Sequence, residues 1–226
     1  GFGWAVAAER DLVLVGAELA PTGGITSGGA VYAYRREGQA WVERAKIVPS
    51  VIQHNSRFGR SVAACGDLLI AGAHMEGEPG FSQRGAAYVF RHDGLGWVQE
   101  AKLLPPVFAA FDQFGWSVAL DGDVAVVGAR WDDDVNNGAG AAHVFRFDGT
   151  SWVHEAKLTN PVGAAFDYLG TSVAVSGDRV AVGAVRGTIG GQAVGAVYVY
   201  RHDGQSWEME ATLTGDTPQA LSWFGY

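Results

Sequence analysis

Three aspartates in predicted loops are the residues of this chain best suited to acid–base or metal chemistry. Asp112 and Asp167 stand at equivalent positions, and Asp132 opens the acidic run Asp132–Asp134. Two carboxylates with different pKa values can hydrolyse a glycosidic bond, and clustered oxygen atoms can bind Ca²⁺. The acidic run occurs once, however, and a catalytic group would not need copies, so the recurrence of Asp112 and Asp167 favours a repeated loop hydrogen bond. We predict no catalytic residue and no metal ligand, with a carboxylate-dependent hydrolase and a calcium site as less favoured alternatives.

Aromatic side chains in predicted loops are the second chemically notable group. Such rings stack on sugars or anchor partner proteins, although they can also fill gaps between structural units. Phe108 is one of these loop residues. Several of them, with the three aspartates, make up the predicted ligand-binding set: Trp4, Phe111, Asp112, Trp116, Trp131, Asp132, Phe166, Asp167, Tyr168 and Trp223.

The other reactive residue types count against an enzyme. The six histidines lack the spacing of a metal triad, and only His54 and His74 are expected to share a face. Neither a nucleophile elbow nor a phosphate-binding glycine motif is present. Cys65 is the only cysteine, which excludes an intrachain disulfide and a cysteine-ligated zinc. We predict a non-enzymatic protein without a cofactor.

Net charge and hydropathy exclude two classes of partner. The 226 residues carry a net charge of −8, which disfavours nucleic acid and anionic membrane surfaces. No apolar run approaches the roughly 18 residues of a membrane span. The remaining partners are a protein, a carbohydrate or a second copy of the chain.

One unit is repeated along the whole sequence. Its first landmark is a large apolar residue followed by glycine, at Phe2-Gly3, Phe58-Gly59, Phe114-Gly115, Leu169-Gly170 and Phe224-Gly225. Each of the first four pairs is followed by a Gly-Ala pair 13 residues later, glycine to glycine, and then by a tryptophan 18 residues before the next landmark glycine. The chain therefore contains four repeats of roughly 56 residues, approximately 1–58, 59–114, 115–169 and 170–226.

Each repeat has the pattern of four short strands. In the third repeat we predict strands at Ser117–Leu120, Asp123–Gly128, Ala141–Arg146 and Ser151–Leu158, separated by turn residues. Four antiparallel strands repeated radially form a β-propeller blade. We predict an all-β fold, a single β-propeller domain over 1–226 with four blades. Such a chain could close alone, pair with another copy, or be an excerpt of a longer propeller.

The repeated segments resemble the FG-GAP repeats of the integrin α-subunit propeller. The resemblance is carried by Phe114–Ala119, by Val126–Ala129 and by Gly140–Arg146, in the same order as in the other three repeats. It implies a propeller and a location outside the cell or in the cell envelope, since many such proteins are secreted. The family's Asp-x-Asp-x-Asp-Gly calcium motif is missing, because the corresponding segment is only the turn Asp121–Asp123.

Hairpin alternation predicts which loops share a face. The loops between strands two and three and the loops between blades lie at the same end of every blade, and they are the longer loops. We predict a non-enzymatic extracellular binding module that engages a glycan or a protein through this face, a lectin being one version. The alternative is a structural or assembly segment of a larger extracellular protein or filament.

Overall fold

The computed structural model describes residues 1–77, 83–107, 109–160, 162–215 and 223–226. All regular structure in these ranges is β. Blade 1 contains β1 Phe2–Glu9, β2 Leu12–Ala17, β3 Ala30–Glu37 and β4 Ala40–Ile47; blade 2 contains β5 Val62–Cys65, β6 Leu68–Ala73, β7 Ala86–His92 and β8 Trp97–Leu103. Blade 3 contains β9 Phe114–Asp121, β10 Val124–Ala129, β11 Ala141–Phe147 and β12 Trp152–Leu158; blade 4 contains β13 Leu169–Ser176, β14 Arg179–Ala184, β17 Ala196–His202 and β18 Trp207–Leu213. None of the described residues forms a helix that is long and apolar enough to cross a membrane.

The four blades are antiparallel four-stranded sheets, each with its strands paired in chain order. The predicted all-β fold of four propeller-type blades is therefore confirmed. The strand β9 begins three residues earlier than the prediction, because the pairing of β9 with β10 shifts register and Phe114 then pairs with Ala129. Gly115, at a φ of 87°, lies within this bulge. Blade 4 also has a small hairpin of β15 Thr188–Ile189 and β16 Gln192–Ala193 that the sequence analysis did not predict.

The repeated glycines are explained by the close approach of neighbouring blades. A Cβ added to Gly128 in β10 would lie 2.1 Å from the backbone oxygen of Gly170 at the start of blade 4. Gly72 has the same relation to Gly115, at 2.0 Å. The Gly-Ala pair of one blade and the Phe-Gly pair of the next are thus two sides of one contact, where only glycine fits.

Hydrophobic cores lie between blades, and each is built in the same way. We call the face of a blade toward the preceding blade its leading face and the opposite face its trailing face. Between blades 2 and 3, for example, the trailing-face residues Leu68, Ile70, Val89 and Leu103 pack against the leading-face residues Phe114, Val118, Val127 and Phe145. Equivalent clusters join blade 1 to blade 2 and blade 3 to blade 4.

The two end faces of this row of blades are exposed. Val6, on the leading face of blade 1, is 69% exposed, whereas the equivalent Val118 of blade 3 is 8% exposed. On the trailing face of blade 4, Leu213 is 48% exposed, whereas the equivalent Leu103 is 2% exposed. Among the described residues, no core cluster contains both blade 4 and blade 1 side chains.

Polar contacts between the outer strands also repeat. The indole nitrogen of Trp152 donates a hydrogen bond to Glu100 of the preceding blade at 2.7 Å, and Trp207 donates in the same way to Glu155 at 3.0 Å. Arg146 pairs with that same Glu155 at 2.9 Å. The recurring tryptophans therefore link neighbouring blades at their outer edge, while the arginine pairs with the accepting glutamate within its own blade.

Candidate functional site

One cavity of about 350 Å³ is lined by residues of all four blades. The residue that follows each landmark glycine supplies the lining, so the wall consists of Trp4, Arg60, Trp116 and Thr171, together with Gly3 and Tyr226. Because equivalent residues of successive blades surround it, the cavity marks their common axis. It opens at the end of the blades where the longer loops lie.

The backbone just before these lining residues has one repeated conformation. Gly3, Gly59, Gly115 and Gly170 all have φ between 83° and 87°, a region that a residue with a Cβ rarely adopts. The bulge at this point changes the direction of the side chain of the residue after the glycine. The Phe-Gly landmark thus serves two purposes, since its large residue fills the core and its glycine directs the next residue toward the axis.

Arginine and tryptophan side chains stack on one another at this cavity. The Arg60 guanidinium carbon lies 4.6 Å from the ring centroid of Trp4 and 3.8 Å from that of Trp116. Arg130 lies 3.1 Å from the same Trp116 centroid. Arg60 and Arg130 thus both lie against Trp116, which is half-buried, whereas Trp4 keeps an exposed surface.

His74 completes this group, which we call the axial cluster: Trp4, Arg60, His74, Trp116 and Arg130. The imidazole of His74 meets Trp116 edge-on, with 5.0 Å between ring centroids. Among the described residues, the buried Nδ1 of His74 and Nε of Arg60 have no hydrogen-bond partner. Buried polar groups are normally satisfied, so these two nitrogens are exceptions within the axial cluster.

Burial and mutual repulsion shape the charges of the axial cluster. Burial, and then the nearby Arg60, lowers the pKa of Arg130 to about 10. Burial also lowers the pKa of Arg60, while Glu18 acts in the opposite direction. The pKa of His74 is lowered to about 3, first by burial and then by Arg60, so this imidazole is neutral at pH 7. Both arginines remain charged at pH 7, and the axis is cationic in an otherwise acidic chain.

A second aromatic group lies in the loops of blades 3 and 4. The ring centroids of Trp131 and Tyr168 are 5.0 Å apart, and Phe166 lies 6.2 Å from each of them. Trp223 contacts Tyr226 at 6.2 Å, and Phe111 is exposed without joining this group. Trp131, Phe166 and Tyr168 thus fill the space between two loops. Phe108 lies outside the described residues.

The predicted site aspartates are engaged in loop contacts. Asp112 accepts a hydrogen bond from the Ala109 amide at 2.7 Å, and Asp167 accepts the equivalent bond from Ala164 at 2.9 Å. This is the repeated loop hydrogen bond expected from their recurrence. Asp132 forms an ion pair with Lys157 at 2.6 Å, as Glu76 of blade 2 does with Lys102. Burial raises the pKa of Asp112 to about 6.

Metal ligands are not clustered in the described parts of the chain. There, no group of three His, Cys, Asp or Glu side chains could hold a metal ion. The two histidines that the sequence analysis placed on one face differ in environment, since His54 is exposed and His74 is buried against Trp116.

Sequence reasoning identified part of the axial cluster. Trp4 and Trp116 were predicted, and the structure places both at the cavity, but Arg60 and Arg130 were not in the predicted set. A signal for Arg60 exists, because tryptophan, arginine and tryptophan alternate at the same position of three successive repeats. Residues that meet at a common axis in this order can form a cation–π stack.

The stacked sheets and the axial cavity define a propeller-type repeat module. The family model for the FG-GAP repeat matches residues 41–90, 97–145 and 152–200, which is more than half of the chain. The chain therefore belongs to the FG-GAP repeat family. Each match begins at an outer-strand tryptophan and ends in the third strand of the next blade, so it spans a blade interface. The comparison with curated proteins gave no match.

Proposed function

We propose that this chain is a non-enzymatic extracellular binding module that engages a glycan or a protein at the mouth of the axial cavity. The observation that carries the proposal is the cavity itself, because all four blades contribute equivalent residues to it. A site of about 350 Å³ lies within the range of small-ligand pockets. Its wall combines an exposed tryptophan with a stacked guanidinium, and both are common in recognition sites.

The environment of the aspartates supports binding over hydrolysis. Hydrolysis of a glycosidic bond needs two carboxyl groups facing one substrate bond. Asp132 is held by Lys157, and Asp167 accepts hydrogen bonds from both Ala164 and the Thr188 hydroxyl, at 2.8 Å for the latter. These carboxylates therefore shape the loops around the cavity. We propose accordingly that no catalytic group and no cofactor takes part, while the extracellular location rests on the family resemblance.

Binding can be tested by replacing one wall residue of the cavity. Trp4→Ala removes an exposed ring that lines the cavity, and Leu95→Ala is the control, because Leu95 is exposed in the turn between β7 and β8, away from the cavity and from the end faces. The wild-type chain and both variants would be applied to a glycan array and to immobilised extracellular proteins. We expect Trp4→Ala to weaken binding about tenfold or more, as for the loss of an aromatic anchor, and Leu95→Ala to keep it. Equal binding by all three proteins would contradict the proposed site.

The exposed end faces favour a second candidate function, that of an assembly segment. The leading face of blade 1 carries an apolar depression lined by Phe2, Val13, Val15, Tyr34 and Trp41. In blades 2 to 4 the corresponding residues are covered by the preceding blade. A further blade of the same kind, from a second copy of the chain, would cover this face in the same way. Light scattering of end-face variants tests this function.

A further inference from the structure

We infer that the ligand of the axial cavity is a carboxylate-bearing sugar, with its carboxylate on Arg60 and its ring against Trp4. The inference rests on the proposed binding function and specifies the ligand class of that site. It is carried by the position of Arg60 beside Trp4 in the cavity wall, by the local charge, and by the size of the cavity.

Arg60 lines the cavity and can offer hydrogen-bond donors to a ligand there. Its guanidinium carbon lies 4.6 Å from the ring centroid of Trp4 and 3.8 Å from that of Trp116. Its N–H groups lie in the guanidinium plane and match the two oxygens of a carboxylate. Among the described residues, the Nε of Arg60 is buried and has no hydrogen-bond partner. Because Nε is buried, a carboxylate in the cavity would be bound by the terminal N–H groups of the guanidinium.

The charges around Arg60 favour an anion. Arg57 and Arg130 add positive charge near the cavity, while Glu18 is the carboxylate side chain that acts on Arg60. Glu18 is itself paired with Arg57, at 3.9 Å. An excess of positive charge therefore remains at the axis, in a chain whose net charge is −8. Confined charge of one sign attracts a ligand of the opposite sign.

The shape of the site favours a sugar over an acidic peptide. The cavity of about 350 Å³ is an open depression surrounded by single residues from successive blades, and its volume suits one ring-sized group rather than an extended chain. Trp4 is 55% exposed and stands beside Arg60, whereas Trp116 is half-buried and contacts both Arg60 and Arg130. The part of the Trp4 indole that Arg60 leaves uncovered can contact a pyranose ring while Arg60 binds the carboxylate of the same sugar.

Calorimetric titration with two matched sugars tests the inference. Methyl glucuronoside and methyl glucoside differ by the carboxylate, and we expect the glucuronoside to bind at least tenfold more tightly. Arg60→Gln should remove this preference and leave the glucoside unaffected. Arg10→Gln is the matched control, because Arg10 is exposed and forms an ion pair with the neighbouring Glu9 side chain, at 3.6 Å. It should bind both sugars as the wild type does, and added NaCl should weaken glucuronoside binding.

A second measurement needs no variant that could misfold. In the wild-type protein, the indole N–H resonances of Trp4 and Trp116 should shift on addition of methyl glucuronoside, and that of Trp207 should not. Equal affinity for the two sugars would overturn the inference and keep the binding function. Tighter binding of N-acetylglutamate methylamide, lost in Arg60→Gln, would replace the sugar by an acidic peptide. If none of the three probes binds, the inference is wrong, whereas the glycan array and protein screen decide the proposed function separately.

Discussion

Asp112 shows how one buried carboxyl group couples the stability of this fold to pH. Its side chain is 5% exposed, and this burial raises its pKa to about 6. The hydrogen bond from the Ala109 amide acts in the opposite direction and lowers the pKa. The unfolded chain releases the same proton near pH 3.9. Between these values the folded state binds more protons than the unfolded state, so the contribution of Asp112 to stability falls as the pH rises from about 4 to about 6.

Asp112→Asn should therefore stabilise the protein at neutral pH. The amide keeps a carbonyl acceptor for Ala109 and cannot ionise, so we expect a gain of up to about 3 kcal/mol in unfolding free energy at pH 7.5, shrinking toward zero at pH 4. Urea unfolding at both pH values measures it. In the control Asp93→Asn, the unfolding free energy at neutral pH should fall instead of rise, because the amide of Gly96 lowers the pKa of that exposed carboxyl. A variant no more stable than the wild type at pH 7.5 would refute the assignment.

The contacts of individual residues could be predicted where the same residue recurs at equivalent positions of the repeats. Contacts between side chains from different blades could not be predicted. The loop hydrogen bonds of Asp112 and Asp167 follow from equivalent positions in two repeats. The stacking of Arg60 and Arg130 on Trp116 depends on how far successive blades turn about their axis, a quantity that local sequence does not encode. The spacing therefore identified Trp4 and Trp116 as equivalent without showing that arginines cover Trp116.

At the scale of the strand, the glycine that recurs in the second strand of each blade tightly constrains how neighbouring blades pack. Gly128→Ala places a Cβ against the Gly170 carbonyl of the next blade, where the unrelaxed distance is 2.1 Å. Blades 3 and 4 must separate to accept it, which costs about 1–3 kcal/mol or more. We expect a lower free energy of unfolding by denaturant. Gly96→Ala is the matched control, because a Cβ there meets no atom within 4 Å, and its effect should stay within about 0.5 kcal/mol. Equal stability of the two variants would show that this contact does not constrain the fold.

The elements themselves were largely predictable because the strand pattern is local and repeated four times. Short runs that are apolar on both faces, Asp-Gly turns and a fixed spacing predict the strands and their grouping into blades. The hairpin of β15 and β16 was not predicted, although Gly190-Gly191 at its turn, with φ values of 57° and 82°, is a favoured hairpin pair. Its strands have two residues each, too short for an alternating pattern.

For the whole molecule, the central question is what covers the two end faces. Three internal interfaces show how a leading face packs on a trailing face, and the same residue types recur on the exposed leading face of blade 1. The trailing face of blade 4 presents Leu213 where the other blades bury Ile47, Leu103 and Leu158. If copies of this chain associate, blade 1 of one copy should therefore pack on blade 4 of another.

A charge on either end face tests this association. The second candidate function predicts that the wild-type mass from light scattering rises above 23.8 kDa with concentration. Val6→Glu and Leu213→Glu should each keep the protein monomeric, because association would bury a charge in the interface. The melting temperature of both variants should stay near that of the wild type, because both side chains are solvent-exposed in the single chain. Val153→Glu, at an exposed position of β12 away from the ends, should associate as the wild type does. A wild-type chain that stays monomeric at every concentration would exclude copies of itself as the cover of these faces and leave the axial cavity as the functional surface.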